Sequence, residues 1–365
     1  MFKGHTNLEE GGYWPIVLNR QATSSVTVFN MKLNNTAING STTITPSGTV
    51  YASSISRDGN MVALLTNTSV YLYRRSGTSF TILSSSAHSL STTAMSIKFS
   101  PNGKWLLVCS SSAGASQILS YKIKDNGVNI QLSYTATTSL TIQCLAWAPD
   151  STFFAVTSTA TGNNGVFVGY VNTSGIIILP SSPTMSITTP TSVVWAPHTT
   201  YQVCLLVGST SSSNYLTSMT CSTLPGNGFQ DNSTNGYSST SPYSPGTVAS
   251  YFMNPGGQIY GMAVSGNGTI MMVGSTSGKI YVILRSLSDI SSMTIVNTYT
   301  IGTITYYHIA CNSDGSQWYA MSTSSSDEMF RINPITGAAV NTTQIYNPIA
   351  GTTTFPNNNA AWSGW

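Results

Sequence analysis

Residues Ser96 to Lys124 read SIKFSPNGKWLLVCSSSAGASQILSYKIK. An alternating apolar run ends at Pro101-Asn102-Gly103, a second apolar run follows, a small polar loop intervenes, and a third alternating run passes through Tyr121. Alternation along the chain marks strands with one buried face, so the stretch predicts three antiparallel strands. Asn102-Gly103 supplies the positive-φ residues of a two-residue hairpin turn, and Ser110 to Ser116 reads as a loose polar loop. A fourth alternating segment near Ile130 to Ala136 completes a four-stranded sheet.

The same unit recurs. Its first turn appears as Asp58-Gly59, Asn102-Gly103, Pro149-Asp150, Pro197-His198, Asn267-Gly268 and Asp314-Gly315. Successive turns lie 44 residues apart from Gly59 to Gly103, then 47 to Asp150, 48 to His198, 70 to Gly268 and 47 to Gly315. A period in the forties with four strands per unit predicts propeller blades. The long interval leaves an excess of roughly 20 to 25 residues over a blade of ~45. The excess falls at 225–245, PGNGFQDNSTNGYSSTSPYSP, which predicts a loop insertion between the third and fourth strands of its blade or just after them.

A further repeat is split between the chain ends. Gly12-Tyr13-Trp14-Pro15-Ile16-Val17-Leu18 followed by Ser25-Val26-Thr27-Val28-Phe29 matches Gly59 to Leu65 followed by Ser69 to Tyr73, but no first strand precedes it. Ala360-Ala361-Trp362 resembles the first strands ending at Trp147 and Trp195. Residues 359–365 are therefore expected to supply the missing strand and close the ring, which removes the unpaired edges of an open seam. The expectation is an all-β, seven-bladed β-propeller of four-stranded antiparallel blades, a single domain over 1–365.

Phe99-Ser100-Pro101-Asn102-Gly103-Lys104-Trp105 and Ile55-Ser56-Arg57-Asp58-Gly59 resemble the strand-to-turn segments of WD-repeat propellers. The Gly-His and Trp-Asp dipeptides of that family are absent, and Tyr73-Arg74 and Tyr121-Lys122 stand where Trp-Asp would be. The resemblance implies the architecture and, as an alternative function, a cytosolic protein-interaction scaffold.

Hydrophobic residues make up 41% of the chain, ample for cores between blades, whereas charged residues make up only 6%. Usual proteins carry about 25% charged residues, so Ser, Thr, Asn and Gly take over solvation here. The net charge of +3 is unevenly spread: residues 1–125 hold ten Lys or Arg and four acids, and 127–278 hold no Lys or Arg. Arg74-Arg75 with Lys122 and Lys124 form the one basic cluster; it reads as a solvated edge, so no nucleic-acid partner is expected. Five cysteines, Cys109, Cys144, Cys204, Cys221 and Cys311, lack zinc or redox spacing, and four of them sit in apolar runs as buried free thiols. The N-terminus has no signal-peptide core and no run approaches a membrane span, so neither export nor membrane insertion is expected.

Chemistry-bearing residues do not converge. His5, His88, His198 and His308 lack partners at metal-ligand spacing, and Asp58, Asp150 and Asp314 share a turn position suited to turn hydrogen bonds. No pair of carboxylates is nominated for glycoside hydrolysis. No catalytic, cofactor-binding or metal residue is therefore assigned, and no enzyme is expected; a glycan- or lactone-acting propeller enzyme is the lesser alternative. Phe229, Tyr237 and Tyr243 within 225–245 are the candidate interaction residues, because aromatic rings among small polar residues make adaptable contacts.

Scarce charge, dominant Ser/Thr/Asn and the missing signal resemble the composition of tailed-phage virion proteins. That resemblance implies a structural component of a bacteriophage virion, in the tail, tail tip or capsid exterior, made in the host cytoplasm. Its implied partners are other virion proteins within a larger oligomeric assembly, and a host-surface glycan or receptor.

Overall fold

The computed structural model describes residues 13–18, 24–32, 38–77, 79–87, 93–111, 116–124, 128–149, 151–160, 163–179, 183, 185–198, 202–211, 216–220, 251–253, 255–276, 278–289, 292–300, 306–311, 315–322, 326–333, 335–346 and 360–362. Alternating residues of each repeat pair as antiparallel strands, and the described residues form seven four-stranded sheets. Blade 1 holds β1 (Tyr13–Leu18), β2 (Val26–Lys32) and β3 (Ile38–Ile44). Blade 2 holds β4 (Val50–Ile55), β5 (Met61–Thr66), β6 (Ser69–Ser76) and β7 (Ser79–Ala87). Blade 3 holds β8 (Thr93–Phe99), β9 (Trp105–Ser111), β10 (Ser116–Lys124) and β11 (Asn129–Thr138). Blade 4 holds β12 (Ile142–Trp147), β13 (Phe153–Ala160), β14 (Asn163–Val171) and the two-residue β15 (Ile177–Ile178).

Blade 5 holds β16 (Pro190–His198), β17 (Gln202–Ser209), β18 (Leu216–Thr220) and β19 (Tyr251–Met253). Blade 6 holds β20 (Ile259–Val264), β21 (Ile270–Ser275), β22 (Lys279–Arg285) and β23 (Met293–Thr300). Blade 7 holds β24 (Tyr306–Cys311), β25 (Gln317–Ser322), β26 (Ser326–Ile332) and β27 (Ala339–Tyr346). The last strand, β28 (Ala360–Trp362), completes blade 1 by pairing with β1, Ile16 opposite Trp362 and Leu18 opposite Ala360. The inner strands β28, β4, β8, β12, β16, β20 and β24 neighbour one another in that order, and β24 returns to β28. The ring closes through the C-terminal strand.

Each described hydrophobic cluster joins two neighbouring blades. Ala63, Leu72 and Val70 of blade 2 pack with Ile97, Phe99 and Val108 of blade 3, and Leu107 and Cys109 of blade 3 pack with Leu145, Phe154 and Val156 of blade 4. Each fully buried aliphatic or aromatic side chain contributes about 1.5–3 kcal/mol, so the cores hold blades face to face. Hydrogen bonds step around the same ring: the Trp147 indole Nε1 donates to Lys98 O at 3.1 Å, and Trp195 Nε1 donates to Ala146 O at 3.2 Å. Trp147 is the last residue of β12 and Trp195 lies three residues before the end of β16, and both indoles reach the preceding blade.

The turn between the first two strands differs from the expected two-residue hairpin. Ser100 N donates to Trp105 O and Gly103 N to Ser100 O, both at 2.9 Å, so a type I turn lies inside a four-residue loop. Only Gly103 takes positive φ, at 69°, and Asn102 serves through its side chain instead. Its Oδ1 accepts from Ser100 Oγ at 2.8 Å and from Lys104 N at 3.0 Å, while Ser100 Oγ accepts from Trp105 N. Ser56 with Asp58, and Ser265 with Asn267, repeat this arrangement. The Ser-x-Asx-Gly spacing is the physical unit that repeats. In blade 4, Ser151 adopts φ 62° in the glycine's place, and its hydroxyl accepts from Asn102 N at 2.8 Å, tying two turns together.

A buried cation spans blades 5 and 6. Arg285, 5% exposed, donates to Gly268 O at 2.5 Å, Pro197 O at 2.9 Å and Cys204 Sγ at 3.0 Å, while its Nε has no partner among the described residues. Carbonyl dipoles, not a carboxylate, neutralise it there. Burial raises the Cys204 thiol pKa, and Arg285 opposes the rise. Cys109, Cys144, Cys204 and Cys311 are buried thiols outside any disulfide, as their apolar surroundings predict, and Cys221 lies outside the described residues.

Candidate functional site

Two regions of the ring present chemistry. On the rim, β7 and β11 are the outer strands of blades 2 and 3 and lie beside each other. Neither carries a Lys, Arg, Asp or Glu. Outer strands normally guard their unpaired edge with charge, and these do not. Ile82 on β7 is 52% exposed, and Leu132 and Tyr134 on β11 are exposed too.

The apolar surface continues to either side of β11. Val128 is exposed at its start. Ile176 follows Gly175, whose backbone lies so close to Ser133 of β11 that an added Cβ would meet the Ser133 Cβ at 2.7 Å. Five of the seven exposed large hydrophobics among the described residues therefore lie on blades 2, 3 and 4; Val296 and Ile335 are elsewhere. The ends of β6 and β10 and the first turns add Arg57, Arg74, Arg75, Lys104, Lys122 and Lys124 to blades 2 and 3. Lys122 Nζ stands 5.7 Å from the Trp105 ring centroid, and Arg75 Nε donates to Gly77 O at 2.8 Å. Asp58 is the one carboxylate among the described residues of these blades, and it is engaged in its turn. Blades 2 and 3 thus carry both exposed apolar side chains and basic ones.

The second region is the central channel, bounded by the inner strands. Each inner strand is flanked by two others. Residues two places before the turn serine, or before its counterpart, form one level: Ser54, Lys98, Ala146, Val194, Ala263 and Ala310. Lys98 is half-buried, and burial lowers its pKa below the ordinary lysine value, with Cys144 and Cys109 opposing the shift. Burial raises the pKa of the Cys109 thiol, and Cys144 adds to the rise.

The structure does not bring the sequence's chemistry-bearing residues together. Phe229, Tyr237 and Tyr243 lie outside the described residues, in the segment between β18 and β19, which pair with each other. His5 and His88 also lie outside, whereas His198 and His308 fall in β16 and β24. Among the described residues no group of three or more His, Cys, Asp or Glu could hold a metal ion. No described helix is long and apolar enough to cross a membrane. Sequence reasoning missed Lys98, which an alternating strand presents as an ordinary solvent-facing lysine.

A model of the WD domain, G-beta repeat, matches residues 79–114, which run from β7 through β8 and β9. No curated protein matches the chain. Among solved structures, the periplasmic gluconolactonase PpgL of Pseudomonas aeruginosa matches with TM-score 0.67 at 10% identity, covering 96% of this chain and 99% of that one. A Bacteroides uniformis protein provisionally named a 6-phosphogluconolactonase matches with TM-score 0.68 at 10% identity over 96% and 99%. Sqt1 of Chaetomium thermophilum matches with TM-score 0.55 at 18% identity over 82% and 72%. These likenesses establish the propeller fold.

They also overturn two expectations. The non-enzymatic virion component gives way because the proteins sharing this ring are named lactonases and Sqt1, and the matching repeat model is the WD domain. The expectation of no enzyme falls with it, since the lactonase-named neighbours match nearly the whole ring. The physical reason is common to both: a surface of Ser, Thr and Asn shows how strands are solvated, and says nothing of the assembly or of chemistry in a channel.

Proposed function

We propose that this chain is a WD-repeat-like interaction propeller that docks a protein partner on the rim of blades 2 to 4. The observation that carries the reading is the uncharged edge of β7 and β11 with Ile82, Leu132 and Tyr134 exposed, on two blades that also carry six basic side chains. The repeat model's match at 79–114 falls on the same two blades. Such a patch suits a partner segment that is extended, apolar and acidic: main-chain pairing along the edge supplies affinity, and opposite charge supplies steering. The test compares capture from source lysate by the wild type and by Ile82→Asp/Tyr134→Asp. The reading expects a partner held by the wild type, released by salt and lost in the double variant. Equal capture by both overturns it.

A second reading, lactone hydrolysis, is favoured by the fuller match to the gluconolactonase than to Sqt1. Acid release from glucono-lactone at fixed pH tests it. A rate no greater than the buffer's own sinks it.

A further inference from the structure

Strand pairing fixes the side of the sheet on which each side chain stands. In blade 3, Lys122 lies opposite Gln131 and Lys124 opposite Asn129, with Ile123 opposite Ile130 between them. Opposed residues share a side and every second residue returns to it, so Lys122, Lys124, Gln131 and Asn129 stand together. All four are exposed. Trp105 pairs with Lys122 and shares that side, its ring centroid 5.7 Å from Lys122 Nζ. Tyr121 and Leu132 oppose each other on the other side, with Ile123 and Ile130.

Other blades can be aligned with this one through a repeated backbone bond. Ile123 N donates to Lys104 O, as Arg75 N does to Asn60 O, Val171 N to Thr152 O, Arg285 N to Thr269 O and Ile332 N to Ser316 O. The residues flanking the donor are Lys122 and Lys124 in blade 3, Arg74 and Ser76 in blade 2, and Tyr170 and Asn172 in blade 4. In blades 6 and 7 they are Leu284 and Ser286, and Arg331 and Asn333. Of the blades so aligned, blade 3 alone has a cation at both places. The two lie about 6.7 Å apart along the strand, the side-chain repeat of any extended chain.

β11 is the last strand of its sheet, bonded to β10 on one edge, and it carries no charge. A strand added to its other edge lies about 10 Å from β10, two interstrand spacings, a gap that a lysine and a glutamate side chain close between them. Residues of that strand opposite Gln131 and Asn129 share a side with Lys122 and Lys124. Those opposite Leu132 and Ile130 fall on the apolar side. The register shift that skips Ser133, against which Gly175 packs, ends the regular edge, which runs from Asn129 to Leu132.

From this register we infer that the rim's partner is an extended segment of alternating acidic and apolar residues, added as a further strand to β11. Its carboxylates meet Lys122 and Lys124, and its apolar side chains lie beside Leu132. The inference rests on rim docking and narrows it: β11 takes the strand, and charge must fall on every second residue. A continuous acidic run puts carboxylates on the apolar side. An oligonucleotide brings charge but no peptide groups to pair with the edge.

Fluorescence anisotropy of the full chain tests it with labelled probes: a peptide alternating Glu and Val, a peptide of the same composition with Glu and Val in separate blocks, and a single-stranded oligonucleotide. The alternating peptide should bind saturably, and at least about tenfold more tightly than the block peptide at low ionic strength. Lys122→Glu/Lys124→Glu should abolish that binding and accept a peptide alternating Lys and Val instead, which a misfolded chain would not do. Equal binding of the two Glu peptides, unchanged binding in the double variant, or tighter binding of the oligonucleotide overturns the inference. Rim docking is read separately from lysate. Capture lost in Ile82→Asp/Tyr134→Asp while the alternating peptide stays unbound leaves rim docking standing and overturns the alternating strand.

Discussion

The inner strand of one blade and the outer strand of its neighbour are both antiparallel strands of the repeat, yet they do opposite work. In blade 4 the inner strand β12 is buried or half-buried throughout and its Trp147 is bonded to the preceding blade. The outer strand β11 of blade 3 alternates apolar and polar residues, but most of its ten residues are exposed. Position in the ring, not strand propensity, decides which side chains carry stability and which are left for partners. The substitutions that follow separate the two roles.

The largest effect is expected at the inner strand. Trp195→Ala empties a site only 2% exposed and removes the bond to Ala146 O, so it should cost about 3–5 kcal/mol in a denaturant melt. A loss no greater than that of an outer-strand change would break the comparison. Next come two glycines with similar φ, Gly268 at 77° and Gly103 at 69°. A Cβ on Gly268 would meet Pro197 Cδ at 2.6 Å, whereas one on Gly103 meets nothing within 4 Å. Gly103→Ala should therefore cost about 1–2 kcal/mol from the left-handed backbone alone, and Gly268→Ala distinctly more.

Lys98→Met should be smaller and opposite in sign. Because the folded pKa of Lys98 lies below its unfolded value of about 10.4, the unfolded chain binds more protons between the two, and stability gained from neutral Lys98 rises with pH across that window. Below the folded pKa the charged lysine is the costly form, so Lys98→Met should be the more stable protein at neutral pH. Its advantage should shrink as pH climbs toward the unfolded value. Cys109 and Cys144 stand near Lys98 and oppose the lowering of its pKa. A pH-independent difference between the two melts would contradict the assigned surroundings. The smallest effect belongs to the rim: Ile82→Asp should change stability by no more than about 0.5 kcal/mol while removing partner capture.

The ring was legible in the sequence because its repeat is a turn with a chemical requirement. Ser100, Asn102 and Gly103 each fill a role that a hydroxyl, a short carbonyl-bearing side chain and a Cβ-free residue perform best, so their spacing survives where strand residues vary. Closure by 360–362 was legible for the related reason that Ala-Ala-Trp repeats an inner strand's end. The register shifts within the first strand pairs, at Tyr51, Met95, Gln143, Thr191 and Tyr260, were not legible, because those positions share no residue type. Lys98 was hidden likewise, and its one signal is that the same position elsewhere is Ser, Ala or Val. Leu132 and Tyr134 lie in the alternating segment near Ile130 to Ala136, whose pattern marks a buried face and does not show that the strand stands on the rim.

The most direct test of rim docking is amine cross-linking of the captured complex, with the linked lysines identified by mass spectrometry. The account predicts links at Lys104, Lys122 and Lys124 on blade 3, and none at Lys279 on blade 6. Links at Lys279 in place of the blade 3 lysines would contradict it.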